Sequence, residues 1–360
     1  MKCEASRYEI RFTRYEEMSK IVRIGNLEVG GKNPVRIKGM LKSPLADTKK
    51  VIGEAKRLEI EGVEAIRIAV KEEKDVKIAA ILKKHISLPL AADVHFHPFL
   101  ALRCIKEGFD QIRLNPLNIA KRSEVRKIAQ EAKRNNVSIR VGVNSGGFKK
   151  QFSSPQSLAR QMVKKTEDYL KVLEGEGFSD IMVSLKGSDV LSTVIANRIF
   201  SQRFDYPLHL GITASGPFLQ GVIKSSLGLG MLLSEGIGNI IRVSLTASSF
   251  WEVRAAKYIL QFLNLRKFGP EIISCPTCSR CEVKLINIVE RFTRELERAN
   301  FNKPMRIALM GCIVNGPGEA KQADIGAAFG KRKAVIFRKD KILGYSNEKN
   351  IVNDLLREVR

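Results

Sequence analysis

The sequence predicts an α/β protein: a (β/α)8 barrel of the TIM type followed by a smaller α/β domain. Three observations carry that reading. Short apolar runs alternate with amphipathic segments over the first 265 residues. Eight such strand–helix units in about 230 residues match the usual barrel size of about 250. From Ile272 onward the texture changes, and Cys275, Cys278 and Cys281 follow one another at two-residue gaps. A doubly wound open sheet is the alternative topology for the same alternation.

The eight strands are read at Val35–Met40, Ala65–Val70, Leu88–Val94, Gln111–Asn115, Ser138–Val143, Asp180–Lys186, Pro207–Thr213 and Asn239–Leu245. Helical patterns fall between them, at Asp47–Gly62, Ser123–Arg134, Pro155–Gly175, Val190–Gln202 and Gly221–Gly236. Asp47 with Thr48 makes an N-cap, and Gly62, Gly175 and Gly236 stop helices. Trp251–Leu263 closes the barrel, and the turn-rich stretch Asn264–Pro270 reads as a linker. The domains are therefore expected at 1–265 and 266–360. In the second, an amphipathic helix at Val283–Arg298 precedes a strand at Arg306–Met310. Short strands around Ala323–Ala328, Ala334–Arg338 and Ile342–Tyr345 lead to a final helix, Glu348–Val359.

Composition narrows the function classes. The chain carries 62 Lys+Arg against 38 Asp+Glu, a formal charge of +24. Such a field attracts polyanions, phosphorylated substrates or acidic protein partners. The basic residues are scattered, aromatics are few, and no nucleic-acid module is recognisable, so a lysine-rich solvated surface is the main cause and nucleic acid is not an expected partner. No apolar run approaches the roughly 18 residues of a membrane span. Met1 to Arg7 lacks the apolar stretch of a secretory signal, so a cytoplasmic protein with reduced thiols is expected.

In that setting clustered cysteines favour metal over disulfide. Cys312 joins the first three from the run Met310-Gly311-Cys312-Ile313-Val314-Asn315-Gly316-Pro317-Gly318-Glu319. Thiolates at two-residue spacing reach one centre, and Pro276 beside Cys275 suits an iron–sulfur cluster. Four thiolates around zinc are the rival. Cys3 and Cys104 have no partner spacing.

Polar residues punctuate the carboxyl ends of the strands, where a barrel builds its active site. They are Arg67, Asp93 with His95, Arg113 with Asn115, Arg140 with Asn144, Lys186, His209 with Thr213, and Arg242 with Ser244. Inward ion pairs would account for one or two. Five cations with Asp93 as the obvious counterpart leave charge unbalanced, which is costly in a barrel interior. An anionic ligand resolves this, most simply a phosphate, whose oxygens match guanidinium groups in pairs.

These residues stand in a longer set of motifs. Ala92-Asp93-Val94-His95-Phe96, Ile112-Arg113-Leu114-Asn115-Pro116, Arg140-Val141-Gly142-Val143-Asn144 and Ser184-Leu185-Lys186-Gly187-Ser188-Asp189 lie in the barrel. Pro207-Leu208-His209-Leu210-Gly211-Ile212-Thr213 and Leu233-Ser234-Glu235-Gly236-Ile237-Gly238 follow. Ser274-Cys275-Pro276-Thr277-Cys278-Ser279-Arg280 and Gly311 to Ala320 complete them. With these, the chain resembles the 4-hydroxy-3-methylbut-2-enyl diphosphate synthase family of the non-mevalonate isoprenoid pathway, from about Asn33 onward. The resemblance implies a barrel fused to a 4Fe–4S domain in a head-to-tail homodimer. It implies cluster ligands Cys275, Cys278, Cys312 and Glu319, with Cys281 outside the set. The weaker carboxylate would mark one iron free to change coordination, which gives Glu319 a catalytic part as well.

The implied reaction is reductive ring opening and dehydroxylation of 2-C-methyl-D-erythritol 2,4-cyclodiphosphate. Electrons would come from ferredoxin or flavodoxin. Arg67, Arg113, Arg140, Lys186 and Arg242 would hold the phosphates, with Asn115, Asn144, His209 and Ser244 adding hydrogen bonds. Two segments depart from the family. Ala214 stands after Gly-Ile-Thr where members usually carry Glu, and the first strand reads Lys38-Gly39-Met40-Leu41 in place of Gln-Ser-Met-Thr. Proton delivery then falls to another donor, such as His95 or a bound water. A paralogue acting on a related phosphate is the alternative.

Overall fold

The computed structural model describes residues 19–149, 151–299, 301–312, 323–330, 333–339 and 341–359. Cys3 and Glu319 lie outside them. The chain divides into two compact units, one up to Arg266 and one from Lys267 onward.

The first unit opens with an antiparallel hairpin, β1 (Val22–Ile24) and β2 (Leu27–Val29). Ile24 and Val29 pack with Met182 and Ile240, so the hairpin lies against barrel residues. Eight parallel strands follow: β3 (Arg36–Met40), β4 (Ala65–Val70), β5 (Leu90–Val94), β6 (Gln111–Leu114), β7 (Ser138–Asn144), β8 (Ile181–Lys186), β9 (His209–Leu210) and β10 (Ile240–Ile241). They neighbour one another in the order β8-β7-β6-β5-β4-β3-β10-β9. A parallel bridge between Val183 and Leu208 brings the β9 segment back to β8 and closes the ring. Every residue of β5, β6 and β8 is buried, as parallel strands covered by helices require.

The covering helices are α1 (Thr48–Ile60), α2 (Glu73–Val76), α3 (Ile78–Leu82), α4 (Pro98–Lys106), α5 (Arg122–Arg134), α6 (Pro155–Gly175), α7 (Val190–Ser201), α8 (Phe218–Leu233) and α9 (Ser249–Phe262). Side-chain caps fix several starts. Asp47 accepts the Lys50 N–H at 3.1 Å, and Asp189 accepts the Ser192 N–H at 2.6 Å. Gly62 and Gly236 end helices with positive φ, as expected, but Gly175 stays helical and Gly177 takes the left-handed turn at φ +63°.

The seventh and eighth strands are much shorter than their apolar runs. A Cβ on Gly211 would lie 2.6 Å from the Arg242 carbonyl oxygen and 2.8 Å from Lys186 Nζ. Beyond Leu210 the ladder gives way to single bonds, Arg242 N–H to Leu210 O and Thr213 N–H to Gly187 O. The remaining residues of both runs become loops on the side where the strands end. Helix α8 starts at Phe218, earlier than Gly221, because Pro217 supplies the extended residue before it.

The second unit is a five-stranded sheet in sequential order: β11 (Glu271–Ser274), β12 (Arg306–Met310), β13 (Ile325–Phe329), β14 (Ala334–Arg338) and β15 (Lys341–Ser346). The first three strands are parallel and the rest antiparallel. Helices α10 (Leu285–Arg298) and α11 (Ile351–Val359) bury Leu285, Ile288, Phe292 and Leu355 with Ile307, Leu309 and Ile325. Strand β11, which delivers the chain to Cys275, is absent from the sequence reading because four residues show too little alternation. Among the described residues no helix is long and apolar enough to cross a membrane.

Asn239 ties the barrel seam, accepting the Leu208 N–H at 3.0 Å and donating to Ser19 Oγ at 3.0 Å. Asn239→Ala leaves a buried donor unpaired and should cost about 1–3 kcal/mol, read as a lower urea midpoint with an unchanged m-value.

Candidate active site in the barrel and candidate metal centre

Side chains alternate across a strand, and register places the site residues side by side. Asp93 lies opposite Arg113, Arg113 opposite Arg140, and Asn144 opposite Lys186. Arg113, Arg140 and Lys186 are all buried, as is Lys38 on β3. With Arg67 and Arg242 they make six cations, against the carboxylates of Asp93 and Glu252. Lys38 and Glu252 were not among the residues singled out from sequence. Lys38 had the same signal as the others, a cation inside an apolar run. Glu252 had none, since it sits in the first turn of a helix.

Asp93 is the hub. Arg113 Nη1 donates to Asp93 Oδ1 at 3.3 Å, and Arg67 Nε lies 3.7 Å from Oδ2. Arg113 also donates to the Gly142 carbonyl at 2.8 Å, and Gly142 leaves room for it, because a Cβ there would lie 2.6 Å from Arg113 Nε. Arg67 points its remaining donors at Met40 Sδ, 2.9 and 3.3 Å away. His95 is held between Arg113 Nη1 and Asn118 Nδ2, each 2.8 Å from a ring nitrogen, with its side chain 40% exposed. Arg140 donates to Ser184 Oγ at 2.8 Å. Arg242 meets Glu252 at 3.3 Å, and Lys42 Nζ meets the same carboxylate at 2.8 Å.

Not every expected group faces the cavity in the same way. Asn115 spends its amide locally, accepting from Leu117 N–H and donating to Asn118, so it shapes the loop after β6. Ser244 offers its carbonyl to the Ser215 hydroxyl. Asn144 ends β7, half-buried. Ala214 is exposed in a turn with φ 48°, so its methyl leaves that position without an acid.

The electrostatics are those of crowded like charges. Burial, then Arg140, Arg67 and Arg242, pushes the Lys186 ammonium well below its ordinary value. Burial, then Lys186 and Arg140, does the same to His209. Burial, then Arg67 and Arg113, lowers Arg140, and burial with Arg67 lowers Arg242 to about 10. Burial alone would raise the Asp93 carboxyl, but Arg67, His95, Arg113 and Arg140 hold it well below the usual carboxylate range. Among the described residues, Arg140 Nε and Nη2, both His209 ring nitrogens and Arg242 Nε are buried without a hydrogen-bond partner. The cavity therefore has an excess of positive charge and unused donors, which a multiply charged oxyanion would satisfy.

In the second unit Cys275 and Cys312 leave the same end of two paired parallel strands, since Ser274 lies opposite Leu309. The Gly311 N–H donates to Cys275 Sγ at 3.3 Å, the kind of amide bond that favours a thiolate. Cys278 is exposed, and Cys281 turns its thiol to the Val283 carbonyl at 3.3 Å, beside Gly311. This donor set of thiols on two loops at one sheet end, with amides beside them, fits an iron–sulfur cluster. Among the described residues no three metal-binding side chains converge, and the expected fourth ligand, Glu319, lies outside them.

The chain matches the GcpE TIM-barrel domain over residues 19–257 and the GcpE protein C-terminal domain over residues 271–360. It is 45% identical over 343 residues to the 4-hydroxy-3-methylbut-2-en-1-yl diphosphate synthase (flavodoxin) of Thermodesulfovibrio yellowstonii, covering 94% of this chain and 97% of the relative. The protein of the same name from Caldanaerobacter subterraneus is 42% identical, over 96% and 98% of the two chains. Among solved structures, the dihydropteroate synthase of Yersinia pestis superposes with a TM-score of 0.52 at 13% identity. It covers 69% of this chain and 99% of its own, a likeness of fold alone.

Because the folded value of Asp93 lies below the ordinary 3.8, its stabilisation is present above that pH and lost as pH falls through the folded value. Asp93→Asn should cost about 3–5 kcal/mol at pH 7. Urea midpoints of the two proteins should converge in acid, where both side chains are neutral.

Proposed function

The chain belongs to the GcpE family, and from that premise we propose that it opens 2-C-methyl-D-erythritol 2,4-cyclodiphosphate reductively to 4-hydroxy-3-methylbut-2-enyl diphosphate. The observation that carries the reading is the cation-rich barrel interior, with orphaned donors on Arg140, His209 and Arg242. In the reaction two electrons and one proton enter, a carbon–oxygen bond to phosphate and a carbon–hydroxyl bond break, a carbon–carbon double bond forms, and water leaves. The diphosphate goes from a cyclic dianion to an open trianion. Fixed cations aimed at a phosphate that gains charge stabilise the transition state more than the ground state.

Arg67, Arg113, Arg140, Lys186 and Arg242 bind the diphosphate in this reading, with Asn144, His209 and Ser244 as hydrogen-bonding neighbours. Glu252 steadies Arg242 from behind. Asp93 orients Arg113 and Arg67. His95, at the accessible edge of the cluster of side chains, is the group placed to pass a proton, since an imidazole exchanges one readily. Cys275, Cys278 and Cys312 with Glu319 would hold a 4Fe–4S cluster, which supplies single electrons when bound. Flavodoxin is the proposed donor, and the chain's charge of +24 suits an acidic partner. Exposed Leu219, Ile223 and Leu227 on α8, with Trp251, Tyr258 and Phe262 on α9, support a homodimer as the working unit. The cytoplasm, where thiols stay reduced, is the proposed compartment.

Anaerobic turnover of the cyclodiphosphate by cluster-reconstituted protein with reduced flavodoxin tests the whole reading. Product should form, and an intact cluster without product overturns it. Lys186→Met should lower kcat/KM by about 10²–10³-fold with iron content unchanged. Cys275→Ser should abolish both turnover and the iron–sulfide absorbance.

A further inference from the structure

Lys38 differs from the other cations in the barrel. It is fully buried on β3, and among the described residues Gln111 Oε1, 2.6 Å away, is its only hydrogen-bond acceptor. Gln111 is fixed in that orientation, because its Nε2 donates to Ser138 Oγ at 3.2 Å. An ammonium carries three N–H donors and no lone pair, so a charged Lys38 would leave two donors unmet, whereas a neutral amine has fewer to satisfy.

The charges around it point the same way. Arg67 faces it from β4, Arg140 from β7, and Lys186 and His209 feel it from β8 and β9. Asp93 on β5 and Asp110, just before β6, are the acidic groups that act on it. No carboxylate makes an ion pair with Lys38 among the described residues, Asp93 being engaged by Arg113 and Arg67.

We propose that Lys38 stands as a neutral amine in the empty barrel and takes up one proton from solvent when an anionic diphosphate enters. Burial first, then Arg140 and Arg67, depresses its proton affinity in the empty protein. A diphosphate bound to those same arginines reverses the sign of the local field and restores it. Binding and protonation are then two linked equilibria, each favouring the other. The inference rests on the barrel being a diphosphate site, and Lys38 needs no contact with the ligand for it to hold.

Calorimetry of inorganic pyrophosphate binding to the cluster-loaded protein, in two pH 8 buffers of different ionisation enthalpy, counts the protons absorbed. The unaltered protein should absorb about one proton per barrel more than Lys38→Gln or Lys38→Arg, since neither replacement exchanges a proton at that pH. Equal counts in all three overturn the proposal. If pyrophosphate fails to bind the unaltered protein, the diphosphate reading of the barrel falls instead. The charge on Lys38 is then read from the ε-carbon NMR signal of ¹³C-lysine-labelled protein, assigned by its loss in Lys38→Arg. A neutral-amine shift at pH 8 keeps the resting-state half of the proposal, and an ammonium shift overturns it.

Discussion

Like charges held close together in a medium that screens them poorly are the constraint on which this molecule turns. Six cations project into one barrel against two carboxylates, and Coulomb repulsion at low effective dielectric is several-fold what it is in water. The protein tolerates this by distributing the cations over separate strands, β3, β4, β6, β7 and β8, with Arg242 just beyond β10. Each strand is locked by its helices. The repulsion shows as lowered proton affinity at Lys38, Arg140, Lys186, His209 and Arg242. A phosphate ligand relieves it, so the strain of the empty site becomes affinity for the occupied one.

Backbone shape serves that electrostatic purpose. Gly142 lets the Arg113 side chain lie across β7, and Gly211 lets the Lys186 amine approach the β9–β10 seam. A side chain at either position would move a cation. Glu252 works from outside the barrel wall: it accepts the Leu245 N–H at 2.7 Å and holds both Lys42 and Arg242. Lys42 in turn donates to the Leu245 and Ala247 carbonyls. The loops after the first and last barrel strands are therefore joined by one buried carboxylate, which also aims a ligand-binding guanidinium.

The second unit solves a different problem with the same economy. Parallel pairing of β11 with β12 puts the Cys275 and Cys312 loops at one sheet end. The apolar faces of α10 and α11 cover the opposite demand, burying the sheet so that the loops are free to carry polar, sulfur-bearing chemistry. Cys281 shows how tightly the loop is packed, since a Cβ on Gly311 would lie 2.4 Å from its sulfur.

The eight apolar runs, their interleaved helices and the cysteine spacing were legible in the sequence because periodicity and spacing are local properties. So was the inward pattern of Arg67, Arg113, Arg140 and Lys186, each a cation inside a run that is otherwise buried. Strand length at β9 and β10 was not legible, because it depends on how closely Gly211 approaches Arg242 across the ring. Nor were the roles of Lys38 and Glu252. Lys38 becomes distinctive only when Gln111, 73 residues away, proves to be its acceptor, and Glu252 only when the loops at Lys42 and Leu245 meet. The sequence determined which charges the barrel would contain. Tertiary structure decided which of them are compensated, because compensation depends on distances between strands that no linear spacing encodes.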